Sequence, residues 1–206
     1  MQVRWLSRRL AAAAVTLVIA GPALTLAGAG RAPQDKRTAP EPRPADAAAL
    51  EDFGKRVKEY VEIQKTLEGK LTNRPDEASP EAIDKHERAL AALIENARRT
   101  ARPGDIFTPP VQAIVRRELA RIFGGADGRQ LLSSIMDENP AKATLKVNGR
   151  YPDVIPMSTM PPEVLAVLPP LPKELNYRFV ADQLILLDTV AHIVVDYVPK
   201  ALPPSP

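Results

Sequence analysis

The sequence predicts an α+β fold in which an antiparallel helical hairpin and further helices pack on a small C-terminal antiparallel β-meander. Apolar residues recur at helical spacing over the first half of the folded region. Three short apolar runs, separated by small polar connections, then follow near the C-terminus, which is typical of a meander. With 45% hydrophobic and 26% charged residues, the 206-residue chain has the composition of a globular protein.

The first 29 residues have the three parts of a secretory signal peptide. Three arginines precede an uncharged stretch over residues 10–30, and small side chains at its end predict cleavage near Ala29. We therefore expect an exported protein, periplasmic or secreted, that leaves by the general secretory or the twin-arginine route. An uncleaved anchor is the alternative, and only this segment would then meet the membrane.

The net charge of +3 belongs to the same segment. Residues 1–29 hold three of the 28 basic residues and none of the 25 acidic ones, so the remainder carries equal numbers of both. The basic character therefore does not indicate nucleic acid, and we expect no such partner. The chain has no cysteine, which excludes disulfides, thiolate metal sites and thiol catalysis.

A proline-rich, disordered spacer is predicted over 30–45, because this segment has four prolines and few apolar side chains. A single compact domain is expected over 46–202. Its helical part covers 46–139, and a part rich in β-structure and proline covers 140–202. Twelve of the 22 prolines lie from Pro140 onward.

The first two helices are predicted from an apolar stripe and a start signal. Over 46–71, seven residues follow steps of three and four, with Gln64 as the one polar member. Ser79-Pro80-Glu81 supplies an N-cap, a first-turn proline and an early acid for the second helix. The short polar connection between the helices predicts an antiparallel hairpin. The stripe consists of Leu50, Phe53, Val57, Tyr60, Gln64, Leu67 and Leu71.

Two more helices follow. Thr108-Pro109 repeats the cap-plus-proline signal, and Gly124-Gly125 ends the third helix. A short fourth helix is expected to stop at Asn139-Pro140, because the residue before a proline disfavours helical geometry.

The C-terminal part predicts mainly strands. Residues 144–151 alternate with period two and predict a strand, and one helical turn is expected from Pro162. Three strands are predicted at 177–180, 184–187 and 193–198. Their continuous apolar runs indicate that both sheet faces are covered, by helices on one side and by the proline segment 160–172 on the other.

Several sequence blocks resemble a family of uncharacterised exported bacterial proteins over about residues 45–202. The resemblance implies export and a helical-plus-β layout, and it implies no activity. The final three-strand block is similar, more weakly, to the C-terminal module of periplasmic nickel/cobalt-homeostasis proteins, without ligand residues to transfer. The blocks are Gly104-Asp-Ile-Phe-Thr-Pro109, Leu145-Lys-Val-Asn148, Leu168-Pro-Pro-Leu-Pro-Lys-Glu-Leu175, Tyr177-Arg-Phe-Val180, Leu184-Ile-Leu-Leu-Asp188 and Ile193-Val-Val-Asp-Tyr-Val198.

Asp188, His192 and Asp196 are candidate ligands for a divalent metal, since they lie four residues apart within one predicted hairpin. The alternative makes Asp188 and His192 turn residues and places Asp196 on the solvated face. We expect no cofactor, with a metal at these residues as the alternative. His86, on the second helix, is expected at the boundary between core and solvent.

Arg117 and Arg121 share one helical face in the basic region 98–129 and are candidates for binding an acidic partner. Solvation of the third helix is the alternative. No Gly-x-Ser-x-Gly elbow or phosphate loop is present in the sequence. We expect a non-enzymatic binding or structural module of the envelope, whose partner is an unidentified protein or anionic polymer. A periplasmic metal-homeostasis protein and an unrecognised hydrolase are the alternatives.

Overall fold

Helices come first and strands last in the computed structural model, which describes residues 44–71, 79–138, 144–153, 155 and 159–203. The arrangement confirms the predicted α+β class, with helices packed on an antiparallel sheet. The elements are α1 (Pro44–Glu68), α2 (Pro80–Ala97), α3 (Pro109–Phe123), α4 (Ala126–Glu138), α5 (Pro162–Leu165), β1 (Leu175–Val180), β2 (Gln183–Asp188) and β3 (Ile193–Val198).

The predicted signal peptide and nearly all of the predicted spacer lie outside the described residues. Only Pro44 and Ala45 of the spacer are described, and both already belong to α1. Proline fits the first turn of a helix, where its missing N–H has no partner to lose, so the helix starts before the predicted residue 46. None of the helices within the described ranges is long and apolar enough to cross a membrane.

The helices α1 and α2 form the predicted antiparallel hairpin. Late in α1, Glu68 Oε1 lies 3.7 Å from Nε2 of His86 early in α2. In the middle of α1, the ring of Tyr60 lies 4.9 Å under the guanidinium of Arg98, directly after α2. The Ser79 hydroxyl accepts a hydrogen bond from the N–H of Ala82 at 3.3 Å, which confirms the predicted cap.

The helix α3 begins after Thr108 as predicted, but the Thr108 side chain makes no capping hydrogen bond. The two prolines that follow carry no N–H, so a capping hydroxyl has fewer donors to accept from. The helices α3 and α4 pack closely because Gly128 lies against the backbone of Ile122 and Phe123.

The sheet has the order β1-β2-β3 with both pairs antiparallel, which confirms the meander. A β-bulge lies in β3, because Leu186 pairs with Asp196 whereas Leu187 pairs with Val194. Val195 is therefore the extra residue. Strict alternation would place Asp196 on the same face as Val194, and the bulge turns it onto the helix-facing side with Leu186.

The strand predicted over 144–151 is wrong. Asn148 has a φ of 61°, and the segment turns there, with a hydrogen bond from Gly149 N to Lys146 O at 2.9 Å. Asparagine followed by glycine favours such a left-handed turn, which overrides the alternating pattern. The segment still lies along the outer edge of β3, joined by an isolated bridge between Arg150 and Ile193.

The helical turn predicted from Pro162 is confirmed as α5, but the cover of the sheet differs from the prediction. Met160, Val164 and Leu168 of the proline segment pack into the helix-side core. The opposite face of the sheet is instead covered by the segment after the Asn148 turn, since Tyr151 and Ile155 pack there in a second, smaller core. Apolar spacing alone cannot show which face a connecting segment crosses.

Candidate functional site

Asp188 ends β2 and is completely buried. Its Oδ1 accepts hydrogen bonds from the N–H groups of Val190 and Ala191, both at 2.8 Å, which stabilises the turn into β3. Its Oδ2 accepts a 2.6 Å hydrogen bond from the hydroxyl of Tyr60 on α1. Burial raises the pKa of Asp188, and these hydrogen bonds oppose the shift. Asp188 is thus a turn residue, which was the alternative to a metal ligand. Through Tyr60 it also connects α1 to the sheet.

Asp196 is also completely buried, so its predicted place on the solvated face is wrong. Its Oδ1 accepts from the N–H groups of Gly104 at 2.9 Å and Tyr197 at 2.8 Å. Its Oδ2 accepts from those of Ile106 and Phe107, both at 2.8 Å. Burial raises the pKa of Asp196, and these four hydrogen bonds oppose the shift.

The partners of Asp196 explain part of the α2–α3 loop. Gly104 has a φ of +92°, a conformation that L side chains rarely adopt, and its N–H points at the carboxylate. The loop then closes on the sheet through Ile106 and Phe107, whose side chains are buried. Asp196 thus holds the connection between two helices against β3.

Arg98 and Asn148 complete this buried arrangement, and sequence reasoning missed both. Arg98 Nη1 donates to Asn148 Oδ1 at 2.6 Å, and Asn148 Nδ2 donates to the carbonyl of Arg98 at 3.0 Å. The Asn148-Gly149 dipeptide was the available signal, because asparagine followed by glycine marks a left-handed turn. We call Tyr60, Arg98, Asn148, Asp188 and Asp196 the polar cluster.

The structure does not bring the three candidate metal ligands together. His192 lies in the β2–β3 turn with a φ of 54°, and its ring packs edge-on to Tyr151 at 5.6 Å between centroids. Throughout the described ranges, no three His, Asp or Glu side chains are grouped so that they could hold a metal ion. The Asp188 and Asp196 oxygens instead accept the hydrogen bonds given above. His86, with 12% of its side chain exposed, lies at the core boundary as expected.

The two arginines proposed to bind a partner are exposed, but each already has an acidic neighbour. Arg117 Nη2 lies 3.0 Å from Asp46 Oδ2 and 3.2 Å from Glu118 Oε1. Arg121 Nη2 lies 2.9 Å from Glu118 Oε2. A partner at this face would have to compete with these carboxylates.

The basic region 98–129 does not form one continuous surface. Arg98 belongs to the interior polar cluster, whereas Arg116 and Arg129 donate to the backbone carbonyls of Pro199 and Gly124. Three of the arginines that give this region its excess of positive charge are therefore hydrogen-bonded to other groups of the protein.

The surface of the described residues includes two shallow grooves. One, of about 400 Å³, lies between α2 and the turn at 146–150, and its cations are paired: Lys146 with Glu95 at 2.9 Å and Arg150 with Asp84 at 2.8 Å. The other, of about 300 Å³, lies between the end of α5, the proline segment and β1. We call it the proline groove. It is lined by Leu165, Pro169, Pro170, Leu171, Pro172, Lys173, Leu175, Asn176 and Tyr177.

Chemically, the polar cluster is suited to holding the fold together. Its two carboxylates are closed to solvent and are bonded to a tyrosine hydroxyl and to backbone N–H groups. The accessible grooves offer apolar walls and a few polar side chains, which are features of a binding surface. No protein-family model, curated protein or solved structure matches the chain.

Proposed function

We propose that the protein is exported to the bacterial envelope, where its folded body acts as a non-enzymatic binding module. The proposal is based on the two carboxylates of the polar cluster, whose oxygens all accept hydrogen bonds from other groups of the protein. Asp188 and Asp196 are the two aspartates buried in the sheet, and both are fully enclosed and hydrogen-bonded to groups of the fold itself. A general acid or base must reach its substrate within hydrogen-bond distance, which this enclosure prevents.

The predicted signal peptide and the resemblance to exported bacterial proteins support the proposed location. Cell fractionation is expected to find the mature chain in the periplasm or medium, with its N-terminus near residue 30. A full-length chain retained in the cytoplasm would refute export. Retention in the membrane would favour the uncleaved anchor.

Crosslinked affinity purification from the native envelope tests the binding function. We expect one envelope protein or polymer to be captured reproducibly by the wild-type chain and not by an unrelated exported protein of similar charge. No specific capture, at expression levels that give an abundant folded chain, would refute the binding function.

Calorimetric titration with nickel, cobalt, copper and zinc tests the metal alternative. We expect no specific heat, because the carboxylates of Asp188 and Asp196 are already bonded within the fold. Heat that disappears in the double variant Asp188→Ala, His192→Ala would restore the metal hypothesis. The double variant needs a check of folding by circular dichroism.

A further inference from the structure

The proline groove lies beside the edge strand of the sheet. Within the part of the chain that the structure describes, strand β1 pairs with β2 and with no second strand, whereas the outer side of β3 is hydrogen-bonded to the 148–151 segment. The groove is formed where β1 begins, at Leu175–Tyr177, opposite the four residues Pro169–Pro172. Its volume of about 300 Å³ is at the lower end for ligand pockets and suits a few residues of an extended chain.

One wall of the groove carries an exposed aliphatic anchor. Leu165, at the end of α5, is 48% exposed, and Ile63 is the other large hydrophobic side chain among the described residues that is exposed to a similar degree. Exposing an isolated leucine is ordinary, but Leu165 is joined here by the prolines and Leu171 in one concave surface. The rigid proline rings limit how far this surface can rearrange.

Two polar side chains of the groove, those of Lys173 and Asn176, are available to a ligand. Lys173 forms no ion pair and the Asn176 side chain no hydrogen bond with any residue in the described part of the chain. The adjacent Glu174 carboxylate interacts electrostatically with Lys173. Its ion-pair partner is Lys65, however, whose Nζ lies 3.2 Å from Glu174 Oε1, and its side chain is only 8% exposed. The Tyr177 hydroxyl is already used, since it donates to the carbonyl of Pro169 at 2.9 Å.

These features specify the chemistry of the occupant. The apolar wall fits an aliphatic side chain, and the ammonium of Lys173 fits a carboxylate, with no acidic residue among those that line the groove. The amide of Asn176 offers an NH2 donor group and a carbonyl acceptor, which can pair with the C=O and N–H of a backbone peptide group. The second groove lacks this character, because its Lys146 and Arg150 are already paired with carboxylates.

We propose that the proline groove binds an extended peptide segment of a partner protein that carries an aliphatic and an acidic side chain on the same side of the extended chain. This inference rests on the proposed binding function and names the class of partner. The peptide lies beside β1, with its aliphatic side chain against Leu165 and its carboxylate at Lys173. Recognition of extended segments next to an edge strand is a recurrent mode of peptide binding.

Panning of the purified protein against a phage library of random linear octapeptides tests the proposal. Enriched peptides are expected to share an aliphatic residue with Asp or Glu two positions away, because alternate side chains of an extended chain lie on the same side. Synthetic, fluorescein-labelled versions then give dissociation constants by anisotropy. The variants Leu165→Ser and Lys173→Glu should each weaken binding about tenfold, which corresponds to about 1.4 kcal/mol.

Matched controls separate the groove from general surface effects. Ile63→Ser removes the other exposed aliphatic side chain, on α1, and Lys58→Glu reverses an exposed charge on the same helix; both should leave the dissociation constant unchanged. A peptide in which the acidic residue is replaced by lysine should bind Lys173→Glu better than it binds wild type. This reversal of charge preference cannot arise from damage to the fold.

The following results would overturn the proposal. The first is an absence of enriched peptides, and the second is unchanged affinity in Leu165→Ser and Lys173→Glu. The third is concentration-dependent dimerisation in sedimentation experiments that Leu165→Ser abolishes, which would assign the groove to a second copy of the chain. An envelope partner still captured by Leu165→Ser would keep the binding function and refute only the groove, whereas failure of wild type to capture any partner would refute the binding function itself.

Discussion

Replacing Asp196 by asparagine changes the polar cluster with almost no change in volume. The carboxylate accepts four backbone N–H groups, two on each oxygen. An amide has one acceptor oxygen, and its nitrogen is a donor. In either orientation of the asparagine, two of the four N–H groups therefore lose their acceptor and face another N–H.

The magnitude follows from these contacts. The asparagine is expected to turn its nitrogen toward Gly104 and Tyr197, because their N–H groups are only partly buried, whereas those of Ile106 and Phe107 are buried. Leaving a buried donor unsatisfied costs about 1–3 kcal/mol, and hydrogen bonds to charged groups are at the upper end of the range. We expect Asp196→Asn to lower the free energy of unfolding by about 3–5 kcal/mol, a large part of the 5–15 kcal/mol of a typical domain.

Urea denaturation followed by circular dichroism at pH 7 measures this effect. The midpoint should fall by about 2 M with an unchanged m-value near 2 kcal/mol/M, and Asp137→Asn on the exposed side of α4 serves as the control. Hydrogen exchange at Ile106 and Phe107 should accelerate more than exchange in α1, because the loop is released first. A loss below about 1 kcal/mol would show that the four N–H bonds do not hold the loop on the sheet.

Three further expectations come from the same contacts. Tyr60→Phe removes the donor to the buried Asp188 carboxylate and should cost about 2 kcal/mol in urea denaturation, whereas Tyr197→Phe should cost under about 0.5 kcal/mol; equal costs would contradict a role for the hydroxyl. Because the pKa of Asp188 is raised, the native state binds its proton to higher pH than the unfolded chain, so the free energy of unfolding should fall as pH rises from about 4 through the native pKa. The slope from this group is at most about 1.4 kcal/mol per pH unit and should disappear in Asp188→Asn, and an unchanged slope in that variant would reject the assignment. Gly54→Ala adds a Cβ with no atom within 4 Å and should raise the free energy of unfolding, measured by thermal denaturation, by about 0.5–1 kcal/mol. Gly128→Ala, whose Cβ would contact the α3 backbone, should lower it by about 1–3 kcal/mol. The same sign for both variants would refute the packing argument.

Local patterns predicted the helices and strands well where the signal is short-range. The start of α2 was predicted from a hydroxyl, a proline and an acid in three consecutive residues. In the structure, the helix begins at that proline. The meander was predicted because its runs are apolar and short, and their connections are too brief for any arrangement except antiparallel pairing. Gln64 was the polar member of the α1 stripe, and it is buried there because its neighbours one turn away are buried.

The errors arose where one residue depends on a distant segment. Residues 144–151 alternate like a strand, but Asn148 turns the chain and bonds to Arg98, 50 positions away. Arg98 itself was counted with a surface patch, since a sequence cannot show that its guanidinium lies over Tyr60. The sequence also does not show that backbone N–H groups donate hydrogen bonds to the carboxylates of Asp188 and Asp196, the two candidate metal ligands. Spacing along a strand pair does not reveal a bulge.

The sequence by itself determined the kind of fold and its main elements, because propensity, capping and apolar period act over a few residues. It also determined that cysteine chemistry is absent and that the charge excess lies in the first 29 residues. Only the tertiary structure decided that Asp196 faces the helices, since a single bulged residue reverses the side of the sheet on which it lies. Likewise, only packing brought Leu165 to the same groove as Lys173 and Asn176, since the Tyr177 hydroxyl of β1 is hydrogen-bonded to Pro169 of the proline segment.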